Sequence, residues 1–379
     1  MKVTRLLPLV ILATLLLVLS ACAPAAAPSP TPTAAPKSAT VASTPTAAPP
    51  KPTAAPPTAA PAAPTPKPVS LKFGSSGVLA YSGVYIAIEK GFFKEQGIDL
   101  ESVIFQSGTQ TVAPLGAGQL DVAGMSLSAG LFAAVDRGID MKVVADASQD
   151  TPNWSTSWVV LRKDLADSGK VKSMTDLKGM KVAIPSPQGY GRMTIGLTLA
   201  EAGLKPEDVE LVILPHADQA PALANKAIVA GFTVEPFIAR GVQEGFSVKW
   251  IPAYKFFGGR AQSAFIVFGP QLAKNKELGQ RFMTAYLKGV RTYLDAFEKK
   301  IGRDEVIRIL AKQTDVKDPK LYDVMEMNYI EPNGVPDKKS MDAMYKWFVD
   351  SGEYKGKLTF ADFTDLSMVD YAAQQLGKR

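Results

Sequence analysis

Residues 71–105, L-K-F-G-S-S-G-V-L-A-Y-S-G-V-Y-I-A-I-E-K-G-F-F-K-E-Q-G-I-D-L-E-S-V-I-F, carry the reading on which the fold turns. L-K-F-G-S-S at 71–76 reads as a strand, and D-L-E-S-V-I-F at 99–105 reads as a second. Between them, residues 82–97 put Tyr85, Ile88 and Phe92 on one helical face, with Gly97 as the stop. A strand, a helix and a strand in this order form one unit of a parallel sheet.

Outward from this stretch the alternation continues. Helix is expected near 109–117 and 128–137, with strands at 120–125 and 141–147. A second series follows W-V-V-L-R at 158–162, with strands at 181–185, 209–214, 228–232 and 247–251. Its helices are expected at 191–203, 219–225 and 236–244. The 311 residues from Val69 onward exceed what one hydrophobic core serves, so an α/β fold of two lobes is expected, each a mostly parallel sheet covered by helices. Lobe one takes 69–158 and 263–379, and lobe two takes 159–262. The apolar segments 157–161 and 263–268 are the expected crossover strands. Residues 271–379 are mostly helical, and Phe282, Tyr286, Leu287 and Val290 are spaced to pack rather than to bind. Two lobes joined by two hinge crossings are built to close over a ligand beyond the carboxyl ends of the strands.

The amino terminus has a different character. Lys2 and Arg5 precede an apolar run at 6–19, and L-S-A-C at 19–22 has the form of a lipobox. A 14-residue run is shorter than the ~20 residues of a membrane-spanning helix, so residues 1–21 read as a lipoprotein signal peptide. Cys22 is the sole cysteine of the 379-residue chain, which makes it the expected acylation site and excludes a disulfide framework. Residues 22–68 form a tether, since 15 of the 29 prolines fall in 23–68 among Ala, Thr and Ser. The net charge of +6 comes mostly from this region: Lys2, Arg5, Lys37, Lys51 and Lys67 all precede Val69, leaving 37 basic against 36 acidic residues in the remainder. A near-neutral folded part with no basic stripe argues against a nucleic-acid partner.

Candidate ligand contacts stand at strand ends and the first turns of the following helices. In lobe one these are Ser75, Ser76, Tyr81 and Ser82, then Gln106, Ser107 and Thr109, then Ser126. Their hydroxyls can bond a polar head group or cap a helix. In lobe two the segment 186–192 offers Ser186, Gln188, Tyr190, Gly191 and Arg192. Tyr190 supplies a stacking face there and Arg192 a bidentate partner for an anion. Trp154 stands at the first crossing. Glu235 can meet a ligand amine or brace a helix start beside Pro236, and the brace is preferred.

Y-I-A-I-E-K-G-F-F-K-E-Q-G-I-D-L (85–100), L-G-A-G-Q-L-D-V-A (115–123), D-L-K-G-M-K-V-A-I-P (176–185) and V-E-P-F (234–237) resemble the solute-binding proteins of nitrate, sulfonate and taurine importers, grouped with the NMT1/THI5-like proteins. The resemblance implies a type II periplasmic-binding fold and an ABC permease with its ATPase as partners, while the signal peptide and lipobox imply an extracytoplasmic location, anchored to the membrane through Cys22. N-K-A-I-V-A-G (225–231) departs from the family pattern, with Val229 where an aspartate often stands. One fold carries many ligands here. Arg192 and the hydroxyls favour a small organic anion of sulfonate or carboxylate type, while Tyr81, Tyr190 and Trp154 leave open a planar heterocycle such as a thiamine-precursor pyrimidine or riboflavin. A ligand sensor for a membrane receptor is the other binding class. An enzyme is not expected: the pyrimidine-making members of the family use a histidine, a cysteine-rich motif and a cofactor lysine, whereas the folded part of this chain has no cysteine and one histidine, His216, read as a loop-edge residue. No metal-ligand cluster is visible, and neither a metal nor a cofactor is expected.

Overall fold

The computed structural model describes residues 68–379, so the expectations for the signal peptide, Cys22 and the tether up to Lys67 lie outside the described residues. Ten strands follow in chain order: β1 (Val69–Ser75), β2 (Ile98–Ile104), β3 (Val122–Met125), β4 (Lys142–Asp150), β5 (Ser157–Arg162), β6 (Lys181–Ile184), β7 (Glu210–Ile213), β8 (Ala230–Val234), β9 (Ser247–Pro252) and β10 (Ala261–Phe268). The helices that shape the site and its supports are α1 (Ser82–Glu89), α2 (Ala129–Asp136), α3 (Tyr190–Glu201), α4 (His216–Ala224), α5 (Phe237–Gln243), α6 (Lys276–Glu298) and α7 (Lys338–Asp350).

The strands make two five-stranded sheets, ordered β2-β1-β3-β10-β4 and β7-β6-β8-β5-β9. In the first, β1 is parallel to β2 and β3, and β10 runs antiparallel to both β3 and β4. In the second, β6 is parallel to β7 and β8, and β5 runs antiparallel to β8 and β9. Each sheet therefore has four strands pointing one way and a single reversed strand. The reversed strand in each case is the one that arrives from the other lobe. β5 lies wholly in the second sheet and β10 wholly in the first, so neither bridges the lobes as expected. The chain crosses in 151–156 and 253–260, where Pro152, Gly258 and Gly259 interrupt strand pairing.

Lobe one is built around α6. Phe282, Tyr286, Leu287 and Val290 are all fully buried, as their spacing requires. The Phe282 ring lies 4.8 Å from Phe93 and 5.4 Å from Phe268. α1 crosses α6 at Gly83 and Gly289, and a Cβ at Gly289 would fall 2.0 Å from the Gly83 carbonyl oxygen, so only glycine permits that approach. The single helix expected over 82–97 is broken at Gly91, whose φ of +76° ends α1 and starts a short turn, Phe92–Glu95. α7 lies against both lobes: Met341, Met344 and Phe348 share one buried cluster with Phe132 of α2 and Met193 of α3.

Candidate functional site

The carboxyl ends of strands from both sheets face one cleft, open to solvent on one side.

From lobe one, Ser76 and Tyr81 line the cleft. Tyr81 packs edge-on against Phe73 at 5.9 Å, and burial pushes its phenol far above the usual range. It needs the glycine at 124, where a Cβ would fall 2.4 Å from the Tyr81 ring. Ser75 and Ser82, expected at the site, are spent inside the lobe: Ser75 Oγ bonds Tyr85 OH at 2.8 Å, and Ser82 Oγ donates to the Leu79 carbonyl at 2.6 Å. Ser107, Thr109 and Ser126 line the cleft, whereas Gln106 stands in a groove at its outer mouth.

From lobe two, Ser186, Gln188, Tyr190 and Gly191 line the opposite wall. This loop also holds the lobes together. Thr109 Oγ1 and Ser186 Oγ are 2.9 Å apart, Gln188 Oε1 accepts from Gly130 N at 3.0 Å, and Tyr190 N donates to Ser126 Oγ at 3.3 Å. Tyr190 OH donates to Asp150 Oδ2 at 3.2 Å, at the start of the first crossing. Burial raises Asp150 to about 6, against the hydrogen bonds from Ser157, Thr156, Tyr190 and Ser155 that favour its ionised form. Gly189 has φ +89°, and a Cβ there would meet Ser126 Oγ and Thr109 Cγ2 of the other lobe, each at 3.1 Å.

Arg192 is not at the cleft. Its Nη2 lies 3.2 Å from Glu353 Oε1 and its guanidinium sits over Trp347. Trp154 is also absent from the cleft wall and packs, half-buried, against the lobe-one core. Glu235 lines the cleft, but its oxygens are occupied: Ala239 N donates to Oε2 at 2.8 Å, Glu326 N to Oε1 at 3.3 Å, and Lys249 Nζ stands at 3.4 Å. Burial raises its carboxyl pKa, with Lys249 opposing. Glu235 is the brace of α5.

Several lining residues lie beyond the sequence reading. His216 opens α4 three residues before the expected helix start and lines the cleft. Its ring stacks on Phe237 at 6.2 Å and 11°, its Nδ1 is 3.3 Å from Thr233 Oγ1, and burial lowers its pKa to about 4, so it is neutral at pH 7. Phe232, on β8, stands edge-on to Tyr190 at 5.5 Å. Ser148, Thr156, Ser157 and Ser263 come from the strands around the crossings. Among the described residues no lysine or arginine lines the cleft, and Glu235 is its one acidic lining residue.

The NMT1/THI5 like family model matches residues 79–298. A binding protein of Brucella abortus is 29% identical over 205 residues, covering 52% of this chain and 58% of that one; the chain thus spans little more than half the length of the curated relatives it matches. Among solved structures, the periplasmic nitrate-binding protein of Synechocystis PCC 6803 superposes with a TM-score of 0.65 at 15% identity, over 83% of this chain and 91% of that one. The alkanesulfonate-binding protein of Xanthomonas axonopodis pv. citri, bound to MOPS, gives 0.58 at 16%, over 81% and 98%. At these identities the likeness is one of fold, the periplasmic-binding architecture of two α/β lobes, while the match of the family model over more than half of the chain places it in a family. The chain belongs to the NMT1/THI5-like family.

Proposed function

We propose that this chain is the extracytoplasmic solute-binding component of an ABC-type importer, tethered to the membrane through acylated Cys22, and that its cleft encloses a small planar heterocycle carrying no net negative charge. Family membership and the binding proteins among its relatives support the solute-binding role, and the lipobox form of residues 19–22 supports the tether. The observation that carries the second is the cleft itself, lined among the described residues by the rings of Tyr81, Tyr190, Phe232 and the neutral His216 and by serine and threonine hydroxyls, with no cationic side chain.

A buried anion is best served by a paired cation, and no cationic side chain among the described residues lines the cleft. The arginine expected to serve a sulfonate or carboxylate is committed to Glu353 instead. Ring stacking contributes about 0.5–1.5 kcal/mol per contact beyond area burial and does not depend on charge. Hydroxyls, which both donate and accept, then read the edge of the ring.

A thermal-shift series tests this reading, with aminopyrimidines and riboflavin on one arm and methanesulfonate, nitrate and benzoate on the other. A solute bound only by the native state stabilises it by about 2.7 kcal/mol at one hundred times its Kd. A concentration-dependent rise with a heterocycle is the expected result. A rise confined to the anions would overturn it.

A further inference from the structure

Arg192 follows Tyr190 by two residues on α3, which carries it about 200° around the helix at 3.6 residues per turn. Tyr190 faces the cleft, and Arg192 faces the C-terminal segment. One turn further along, Gly196 receives the edge of Trp347, where a Cβ would fall 2.7 Å from Trp347 Cζ2. The Arg192 guanidinium is 5.9 Å from the centre of the Trp347 ring and its Nη2 is 3.2 Å from Glu353 Oε1.

Glu353 is fixed to the opposite lobe. The neighbouring Tyr354 ring packs 5.5 Å from Phe132 of α2, and Phe363 lies 5.3 Å from the same ring. α7, which leads into Glu353, is pinned to β10 at its start: Gln262 N donates to Ser340 Oγ at 2.9 Å, and Asp337 N donates to Gln262 Oε1 at 2.9 Å. The Arg192–Glu353 contact therefore joins lobe two to lobe one at a place the solute does not reach.

The pair is also incomplete. Arg192 Nη1 and Glu353 Oε2 are buried with no hydrogen-bond partner, although the two side chains are only 15% and 19% exposed. A buried pair with one atom unsatisfied on each side gives up part of its attraction to desolvation. Such a contact is suited to breaking and remaking, because opening exposes both orphaned atoms to water.

We propose that Arg192, Trp347 and Glu353 form an outer clasp that biases the two lobes toward the closed state and so sets solute affinity without touching the solute. The proposal rests on the reading of the chain as a protein that opens and closes on a solute. α3 then has two working faces at its first turn: Tyr190 inside, bonded to Ser126 and Asp150, and Arg192 outside, ion-paired with Glu353. The apparent Kd of a closing protein rises in inverse proportion to the fraction of competent closed molecules. A tenfold loss of that fraction weakens binding tenfold with every cleft contact intact.

The test measures the separation of two spectroscopic labels, at Glu101 on β2 and Glu210 on β7, without solute. Arg192→Glu and Glu353→Arg should each shift it to longer distances, the double reversal should return it to the parent value, and Glu353→Gln, which keeps side-chain shape, should shift it less in the same direction. Unchanged separations in Glu353→Gln and both single reversals would overturn the clasp. So would a double variant as open as the worse single one, which would mark the site as packing alone. Since no solute is present, the outcome is independent of whether a heterocycle binds.

Discussion

The two lobes are topological twins with unequal cores. In each sheet the second strand of the lobe lies outside the first, followed by the third, the incoming strand and the fourth. Equivalent strand ends feed the cleft from both sides, so Ser76 and Tyr81 after β1 correspond to Ser186 and Tyr190 after β6. Lobe one is closed on one face by α6 and its run of fully buried aromatics, Phe282, Tyr286 and Tyr293. Lobe two has one small core of its own, around Val160, Leu223 and Ile238, and on its other face shares a cluster with α7. Lobe one thus has a large core of its own on one face and lobe two a small one, while the second faces of both lobes meet in the cluster that holds α7. Twin topology gives a symmetric cleft, and unequal cores make closure adjustable from outside it.

The largest expected effect tests the larger core. Phe282→Ala should cost about 3–5 kcal/mol in urea unfolding, because a fully buried ring leaves a cavity that α6 cannot collapse. Leu223→Ala in the small core of lobe two should cost about 2–3 kcal/mol, near the low end of its class, because fewer fixed neighbours surround the void. Equal losses would mean the cores are energetically alike, and the comparison would fail.

Opposite pH slopes should also separate the lobes. In lobe one, burial raises Asp146 to about 7 and Asp150 to about 6, both above the 3.8 of an unstrained aspartate. Their favourable contribution is fully present below about pH 4 and is lost as pH rises through the folded values. In lobe two, His216 is lowered from 6.5 to about 4, so its contribution is present above pH 6.5 and lost as pH falls toward 4. Each of these shifts corresponds to something on the order of 3 kcal/mol. Comparing unfolding free energies at pH 4.5 and 7, Asp150→Asn should remove part of a decline with pH, and His216→Gln part of a rise. Slopes that move in the same direction in both variants would contradict these assignments.

Most of the fold was legible because the strands are apolar runs of four to nine residues bounded by glycine, proline and polar turns, and all ten fall within a few residues of their expected places. The lining of the cleft was legible where one loop supplies it, as at Ser76 and Tyr81 or from Ser186 to Tyr190. Arg192 was misplaced although the helical period contains the answer, since two residues is more than half a turn and carries the side chain to the far face. Ser148, Thr156, Ser157 and Ser263 carry no local signal. They reach the cleft because two distant segments cross side by side, and that pairing is a property of the folded chain.

Gly189 gives a smaller test of the lobe interface. Its φ of +89° and ψ of −163° lie where residues with a Cβ are strained by about 1–3 kcal/mol, and the added methyl would press on Ser126 and Thr109 across the cleft. Gly203, also at positive φ, has nothing within 4 Å of its notional Cβ. Gly189→Ala should therefore lengthen the label separation used for the clasp, and Gly203→Ala should leave it unchanged while costing about 1 kcal/mol in unfolding. The comparison breaks if both variants open the cleft.

The smallest effect should come from one hydroxyl, and it asks whether the inner contacts act on closure alone. Ser186 Oγ donates to the Gln188 carbonyl at 2.9 Å, so toward Thr109, also 2.9 Å away, it acts as acceptor. Thr109 then donates its own proton to Ser186 and accepts from Ser107 at 3.0 Å. The result is a directed chain from Ser107 through Thr109 to Ser186, with its single cross-lobe link in the middle. Thr109→Val keeps the shape and removes that link, and the net worth of one such bond is about 0.5–1.5 kcal/mol, or roughly two- to tenfold in the closed fraction. Ser107→Ala removes only the end of the chain, within lobe one, and should leave closure unchanged. The unfolding midpoint should not move in either variant, since neither group supports a core. A Thr109→Val protein that loses stability but keeps its label separation would assign the hydroxyl to lobe one and leave closure to Tyr190, Gln188 and the outer clasp.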